Sequence, residues 1–194
     1  MAIRRFNDYE TTKAYGDIQT LPKGGYVLKI MGAEVCENRN GQYIKISCDI
    51  AEGEFMNFFA NEYRAQQSED KKWHCNYLLN VPNDDGTEQD GWTKRRFKTV
   101  TEAMEEANSG YHFDWDEGKF KGKMLGVLFR NKEWEFNGKT GWTTECAGSC
   151  SVADIRSGDF KVPADKPLDN SSTQATNTSA DVLADDEDDD LPFN

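Results

Sequence analysis

The feature that most constrains the fold is a strict two-residue alternation in residues 43–50, YIKISCDI: Ile44, Ile46, Cys48 and Ile50 alternate with Tyr43, Lys45, Ser47 and Asp49. Successive side chains of a strand point to opposite faces, so such a run buries one face and wets the other. Just upstream, Glu37-Asn38-Arg39-Asn40-Gly41 ends in Asn-Gly, the strongest short signal for a hairpin turn. Residues 25–35 (GYVLKIMGAEV) carry the β-branched and aromatic residues of a preceding strand. The sequence therefore predicts an antiparallel hairpin from strands over 25–35 and 42–52.

The same reading extends down the chain. Residues 53–72 hold Phe55, Phe58, Phe59 and Tyr63 in a loop with a short helix; HCNYLLNV (74–81) is a third strand and NDDGTEQDG (83–91) a loop. Thr93 is placed to cap a helix reaching Asn108, with Phe97, Val100, Ala103 and Met104 on one side and Glu102, Glu105 and Glu106 on the other, ended by Gly110. GKMLGVLFR (122–130) and KEWEF (132–136) are strands, and a turn over 137–141 leads back into WTTECA (142–147). Five or six short antiparallel strands with one main helix between the third and fourth is the element order of an OB-fold. The expectation is a mainly β, OB-fold-like antiparallel barrel over residues 1–162, with a β-sandwich as the alternative. From Pro163 the composition turns to Ser, Thr, Asn, Ala and Asp without apolar period. That predicts a flexible linker over 163–184 and a disordered acidic C-terminal tail tipped by 185–194.

A net charge of −12 argues at first sight against a nucleic-acid partner, but its distribution reverses the inference. Residues 166–194 hold one lysine and eight acids, whereas residues 1–165 hold 22 bases and 27 acids. More than half of the excess sits in the tail, and the bases of the body cluster at Lys71-Lys72, at Lys94-Arg95-Arg96 with Lys98, and at Lys119, Lys121 and Lys123. No apolar run reaches the length of about 18 residues that a spanning helix needs, and MAIRRFNDYETTKAYGD lacks the apolar core of a signal peptide. A cytoplasmic location without membrane contact is expected. The five cysteines, Cys36, Cys48, Cys75, Cys146 and Cys150, fit reduced thiols better than a disulfide framework.

The patterns that catalysis needs are incomplete. Gly138-Lys139-Thr140 resembles the end of a phosphate-binding loop, but that pattern requires glycine where Glu133 stands. Asp114, Asp116, Glu117 and Lys119 supply the residue types of a metal-dependent nuclease, and Asp84, Asp85 and Asp90 form a second acidic loop. Neither order forces convergence on one ion, and both read as solvated charge runs. Cys146 and Cys150 lie four apart and His74 adjoins Cys75, without a Cys-x-x-Cys pair. Only His74 and His112 are available as bases, with no nucleophile placed beside either. The expectation is a protein that is not an enzyme, with no metal and no cofactor.

Binding of single-stranded DNA needs aromatic faces for bases and Lys or Arg for phosphates, and so interleaves the two. This sequence does so at Lys71-Lys72-Trp73, at Trp92-Thr93-Lys94-Arg95-Arg96-Phe97, and at Arg130-Asn131-Lys132-Glu133-Trp134 with Lys139 and Trp142. The wet face of the second strand adds Tyr43 and Lys45, and its turn adds Arg39. Trp92, Trp115, Phe55, Phe58 and Phe59 read as core or half-buried. The candidate nucleic-acid contacts are Arg39, Tyr43, Lys45, Lys72, Trp73, Arg95, Arg96, Arg130, Lys132, Trp134, Lys139 and Trp142. Of these, Trp73, Trp134 and Trp142 are expected to stack. An exposed edge strand leaves a homo-oligomer open.

The chain ends in Asp185-Asp186-Glu187-Asp188-Asp189-Asp190-Leu191-Pro192-Phe193-Asn194. Six acids explain solubility, but the apolar end has the form of a linear motif: carboxylates steer it to a basic surface and Pro192 and Phe193 enter a pocket. Asp188, Asp189, Asp190, Leu191, Pro192 and Phe193 resemble the acidic tip of bacterial single-stranded DNA-binding proteins. In that family the tip recruits replication, recombination and repair proteins and competes with DNA; here Asn194 follows the Phe on which the family ends. The body resembles phage and prophage single-stranded DNA-binding proteins of Gram-positive hosts, with an OB-like domain. The similar stretches are TTKAYGDIQTLPKGGYVLKIMGAEV (11–35), DEGKFKGKMLGVLFRNKEWEFNGKTGW (116–142) and DIRSGDFKVPADKPL (154–168). The resemblance implies a protein of the bacterial host cell that coats and protects single-stranded DNA in phage replication or recombination. The alternative is a phage adaptor or inhibitor that binds proteins or mimics DNA on an OB-like fold.

Overall fold

The computed structural model describes Arg4, Tyr9 and residues 20–168. The elements run β1 (Gly24–Asn38), β2 (Gly41–Ile50), α1 (Phe58–Ala65), β3 (Asn76–Asn80), α2 (Glu88–Ala107), a 3-10 turn (Glu117–Phe120), β4 (Met124–Phe136), β5 (Lys139–Cys150) and α3 (Val152–Ser157). The strands form one antiparallel sheet in the order β3-β2-β1-β4-β5, and α2 lies between β3 and β4 in the chain, as the element order predicts. β4 runs unbroken through Asn131, which makes the strands five. The expected barrel is not closed by hydrogen bonding, because among the described residues β3 pairs only with β2 and β5 only with β4. The sheet curls far enough for a side-chain contact between its edges: the Tyr77 hydroxyl of β3 donates to Ser149 Oγ of β5 at 3.4 Å. Arg96 of α2 reaches the same hydroxyl at 3.5 Å.

The period of β2 sets the core. Ile44, Ile46, Cys48 and Ile50 are at most 4% exposed. They pack with Leu28, Ile30, Leu79, Leu125 and Phe129 of the sheet and with Phe97, Val100 and Met104 of α2. Asp49 belongs by period to the wet face yet is buried. Its Oδ1 accepts from the backbone N–H groups of Ile50 at 2.9 Å and Phe59 at 3.1 Å, and its Oδ2 from Ala60 at 3.2 Å. It therefore caps α1 from a neighbouring strand, where the local N-cap Asn57 sits at φ 62° and offers no side-chain cap.

Three elements differ from the sequence reading. α2 begins at Glu88 instead of after Thr93, because Thr87 Oγ1 accepts from Asp90 N at 3.1 Å. The Asp90 carboxylate in turn accepts from the backbone of Asn83 at 2.8 Å and Asp84 at 3.2 Å, and pairs with Lys94 at 2.9 Å. These contacts outweigh the cost of Gly91 in a helix, about 1 kcal/mol. α3 is a further helix, capped by Ser151 and ended by Gly158 at φ 77°. Residues 163–168, expected to open the linker, run along β4: Lys166 N–H donates to Asn131 O and Glu133 N–H to Lys166 O, both at 2.8 Å. They occupy the edge that β1, paired with β4 only as far as Phe129, leaves open. Lys23 fastens the segment through Asp165 at 2.8 Å.

α3 and Phe160 cover the outward face of β1 and β4. A Cβ on Gly25 would stand 2.8 Å from the Phe160 ring, and one on Gly126 2.5 Å from Cys150 O and 3.0 Å from Ile155. The outward face of β2 and β3 keeps its side chains half-buried or exposed. All five cysteines are free thiols, and no described helix is long and apolar enough to cross a membrane. Residues 169–184 and the tip over 185–194 lie outside the described residues.

Candidate nucleic-acid interface

Register assembles the first group of candidate residues. Tyr43, Lys45 and Ser47 of β2 stand opposite Asn80, Leu78 and Asn76 of β3, so the six share the outward face. Ser47 Oγ donates to Asn76 Oδ1 at 2.9 Å, stiffening one end. At the other end Arg39, exposed, occupies the β1–β2 turn, where Asn38 Oδ1 accepts from Asn40 N at 2.9 Å. Glu34 of β1 lies beside Lys45 by register, yet neither Lys45 nor Arg39 forms an ion pair among the described residues. A ring, a cation and hydrogen-bonding side chains thus share one strand face, with a second cation in the adjoining turn. The β3 contribution, Asn76, Leu78 and Asn80, is not among the sequence candidates, because the unbroken apolar run Tyr77-Leu78-Leu79 hides which positions face outward.

The β4–β5 hairpin separates residues that sequence places together. Arg130 pairs with Glu145, Lys132 with Thr143 and Trp134 with Gly141, all on one face, while Trp142 pairs with Glu133 on the other. The two tryptophans therefore cannot serve one base stack. Trp134 lies over Gly141, where a Cβ would come within 2.5 Å of its ring. Arg130 is 5% exposed, and its Nε donates to Glu145 Oε1 at 2.9 Å. Lys132 shares the same carboxylate at 3.4 Å. Lys139 is exposed in the turn, after Asn137 at φ 50° and Gly138 at φ 73°. Antiparallel pairing of β1 with β4 sends the Arg39 and Lys139 turns away from opposite ends of the paired segment.

The other candidates lie elsewhere. Trp73 is half-buried against the core, its indole N–H donating to Cys48 O at 2.9 Å. Exposed Lys72 is held by its backbone, which exchanges two 2.8 Å hydrogen bonds with the Gln66 side chain. On α2, Arg95 lies 4.9 Å over the Trp92 ring and Arg96 5.7 Å over Tyr77. Two indoles expected inside are outside: Trp92 is 52% and Trp115 77% exposed. Trp115 takes φ 67°, a left-handed conformation unusual for a bulky residue, and stacks on Phe97 at 5.9 Å.

The acidic loops are tied to lysines. Lys119 pairs with Asp114 and holds its carboxyl below the usual range. Lys94, bonded to Asp84 and Asp90, does the same for Asp90, helped by the Asp84 and Asn83 backbone N–H groups. Among the described residues no group of three or more His, Cys, Asp or Glu is placed to hold a metal ion. No protein-family model matches the chain, and a search of curated proteins finds no match.

Proposed function

We propose that this protein binds single-stranded DNA without catalysis, along the outward face of β2 and β3, with Tyr43 stacking on a base and Arg39 and Lys45 meeting phosphates. The observation that carries this reading is the placing of Tyr43 and Lys45 on one strand face beside the Arg39 turn. Stacking and charge compensation at this spacing accept any sequence. The antiparallel order β3-β2-β1-β4-β5 with a helix between β3 and β4 supports an OB-like reading, and OB-folds bind oligonucleotides on the strand 2–3 face and the adjoining turns. A strand long enough to pass the face covered by α3 would also meet Lys132, Trp134 and Lys139 on the second hairpin, at the opposite end of the β1–β4 pair. In the cell the protein coats transient single strands in phage replication or recombination, and its tip from Asp188 to Phe193 recruits partner proteins. Fluorescence titration of a labelled oligothymidine tests the face: Tyr43→Ala is expected to weaken binding about tenfold, as loss of one stacked base requires, and Trp142→Ala to leave it unchanged. Equal losses in both variants would remove the face from the account.

A second reading, a protein-binding adaptor, is favoured by Trp115, whose exposed indole is flanked by Asp114 and Asp116. An indole among carboxylates suits a cationic protein surface. On that reading Trp115→Ala abolishes partner capture, and the wild-type chain forms no complex with the oligonucleotide at low salt.

A further inference from the structure

Where the β1–β2 turn, the end of β3 and the start of α2 meet, the surface sinks into a cleft of about 330 Å³. Its size is at the small end of ligand pockets, roughly 300–1,000 Å³. Six amide side chains line it: Asn38, Asn40, Gln42, Asn80, Asn83 and Gln89. Two carboxylates, Asp85 and Asp90, join them, and no lysine or arginine is among the lining residues. The walls are braced. Asn83 Nδ2 donates to Asn40 O at 3.4 Å, Asp85 Oδ1 accepts from Thr87 N at 2.9 Å, and Asp90 is bound to two backbone N–H groups and Lys94. Gly41 lets the turn approach, since a Cβ there would stand 2.6 Å from Asn83 Oδ1.

The chemistry of this lining selects its occupant. Asp90 is neutralised by Lys94, but Asp85 forms no ion pair among the described residues and repels phosphate, so the cleft does not favour a nucleotide's charged end. Amides present a donor and an acceptor side by side, the complement of a nucleobase edge. Asp85 Oδ2, which accepts no hydrogen bond among the described residues, tilts the balance towards acceptors and favours an exocyclic amino group over a keto oxygen. Position agrees: Asn80 lines the cleft and stands directly opposite Tyr43 on the outward face. Exposed Arg39 lies between Asn38 and Asn40 at the rim. A strand held by Tyr43 and Arg39 would have its next base beside the opening.

We propose that this cleft is a base-reading subsite that seats one amino-bearing nucleobase, cytosine or adenine, of a bound single strand and disfavours uracil and thymine. The proposal rests on the DNA-binding reading of the β2–β3 face. It gives an otherwise sequence-tolerant surface a preference at one position in each footprint.

The test compares deoxycytidine with deoxyuridine homopolymers, about 15 nucleotides long to match the upper site size of one OB-fold. The two pyrimidines share size and lack the 5-methyl group, so they differ at the edge that the cleft reads. By competition anisotropy with the full chain, the cytosine strand is expected to bind about tenfold tighter, within the range for one good bidentate contact. Gln42→Ala and Gln89→Ala should bring that ratio close to one while the affinity for the uracil strand stays within about twofold. Equal affinities in the wild type, with binding intact, would overturn the subsite and leave the DNA-binding face standing. A ratio that persists in both variants would also overturn it. Failure of both strands to bind at low salt would overturn the face and the subsite together.

Discussion

At the scale of single residues, burial and partners decide what each side chain is for. Asp49 is an acid that the two-residue alternation assigns to solvent, yet it satisfies three backbone N–H groups at the start of α1 and its own strand. Asp49→Ala is expected to lower stability by about 2–4 kcal/mol, the cost of buried donors left without a charged acceptor, read as a fall in the urea midpoint at unchanged slope. Arg130 interleaves with aromatics in the sequence as a phosphate ligand would, but its guanidinium is buried against Glu145. Arg130→Ala should cost about 1.5–3 kcal/mol of stability through loss of a buried charge-assisted hydrogen bond, Glu145 keeping Lys132. In a salt titration of DNA binding the same variant should keep the wild-type slope, whereas Lys45→Ala should lower it by about 0.7. The residue types of a binding surface were legible in the sequence; their facing was not. Trp134 and Trp142 flank one turn in the chain, but strand register, set after a bulge between Leu128 and Phe129, puts them on opposite sides.

At the scale of elements, the sequence reads well where apolar period is strong and poorly where side chains from elsewhere make the end. The β1–β2 hairpin follows from Asn40-Gly41 and the alternation of β2. The start of α2 was read about one and a half turns late, because Gly91-Trp92 looks like a loop until Asp90 is seen binding the Asn83–Asp84 backbone and Lys94. That cluster makes a pH prediction. Lys94 and the two N–H groups depress the Asp90 pKa in the folded state, so its stabilisation is fully present above the ordinary carboxylate range near pH 4 and is lost as pH falls below it. Melting curves between about pH 7 and 3 should therefore show a steeper acid-side decline in wild type than in Asp90→Asn. The strip 163–168 was read as linker because its composition is polar, yet its backbone completes the free edge of β4. A chain ending after Leu168 is expected to melt like the full chain. One ending after Val162 should melt several degrees lower, since the exposed β4 edge loses the hydrogen bonds of Lys166 and Leu168.

At the scale of the molecule, a curled five-strand sheet with α2 beside its unclosed edges presents two kinds of surface. α3 and Phe160 cover the outward side of β1 and β4, while the β2–β3 side carries the Tyr43 ring beside Lys45 and the Arg39 turn, two cations without an ion pair among the described residues. Total charge was a poor guide to this arrangement, since much of the acidity belongs to residues 166–194. Several acids of the body are paired with neighbouring lysines and arginines, as at Asp84, Asp90, Asp114, Glu145 and Asp165. The central claim is that the β2–β3 face holds single-stranded DNA through a few phosphates and stacked bases. Its most direct measurement is a titration of labelled oligothymidine with the full chain across a range of salt concentrations. The expected result is a complex at low salt whose affinity falls with a log–log slope of about −2 to −3, for three or four phosphate contacts on a single strand. Absence of a complex at low salt, or an affinity indifferent to salt, would contradict it.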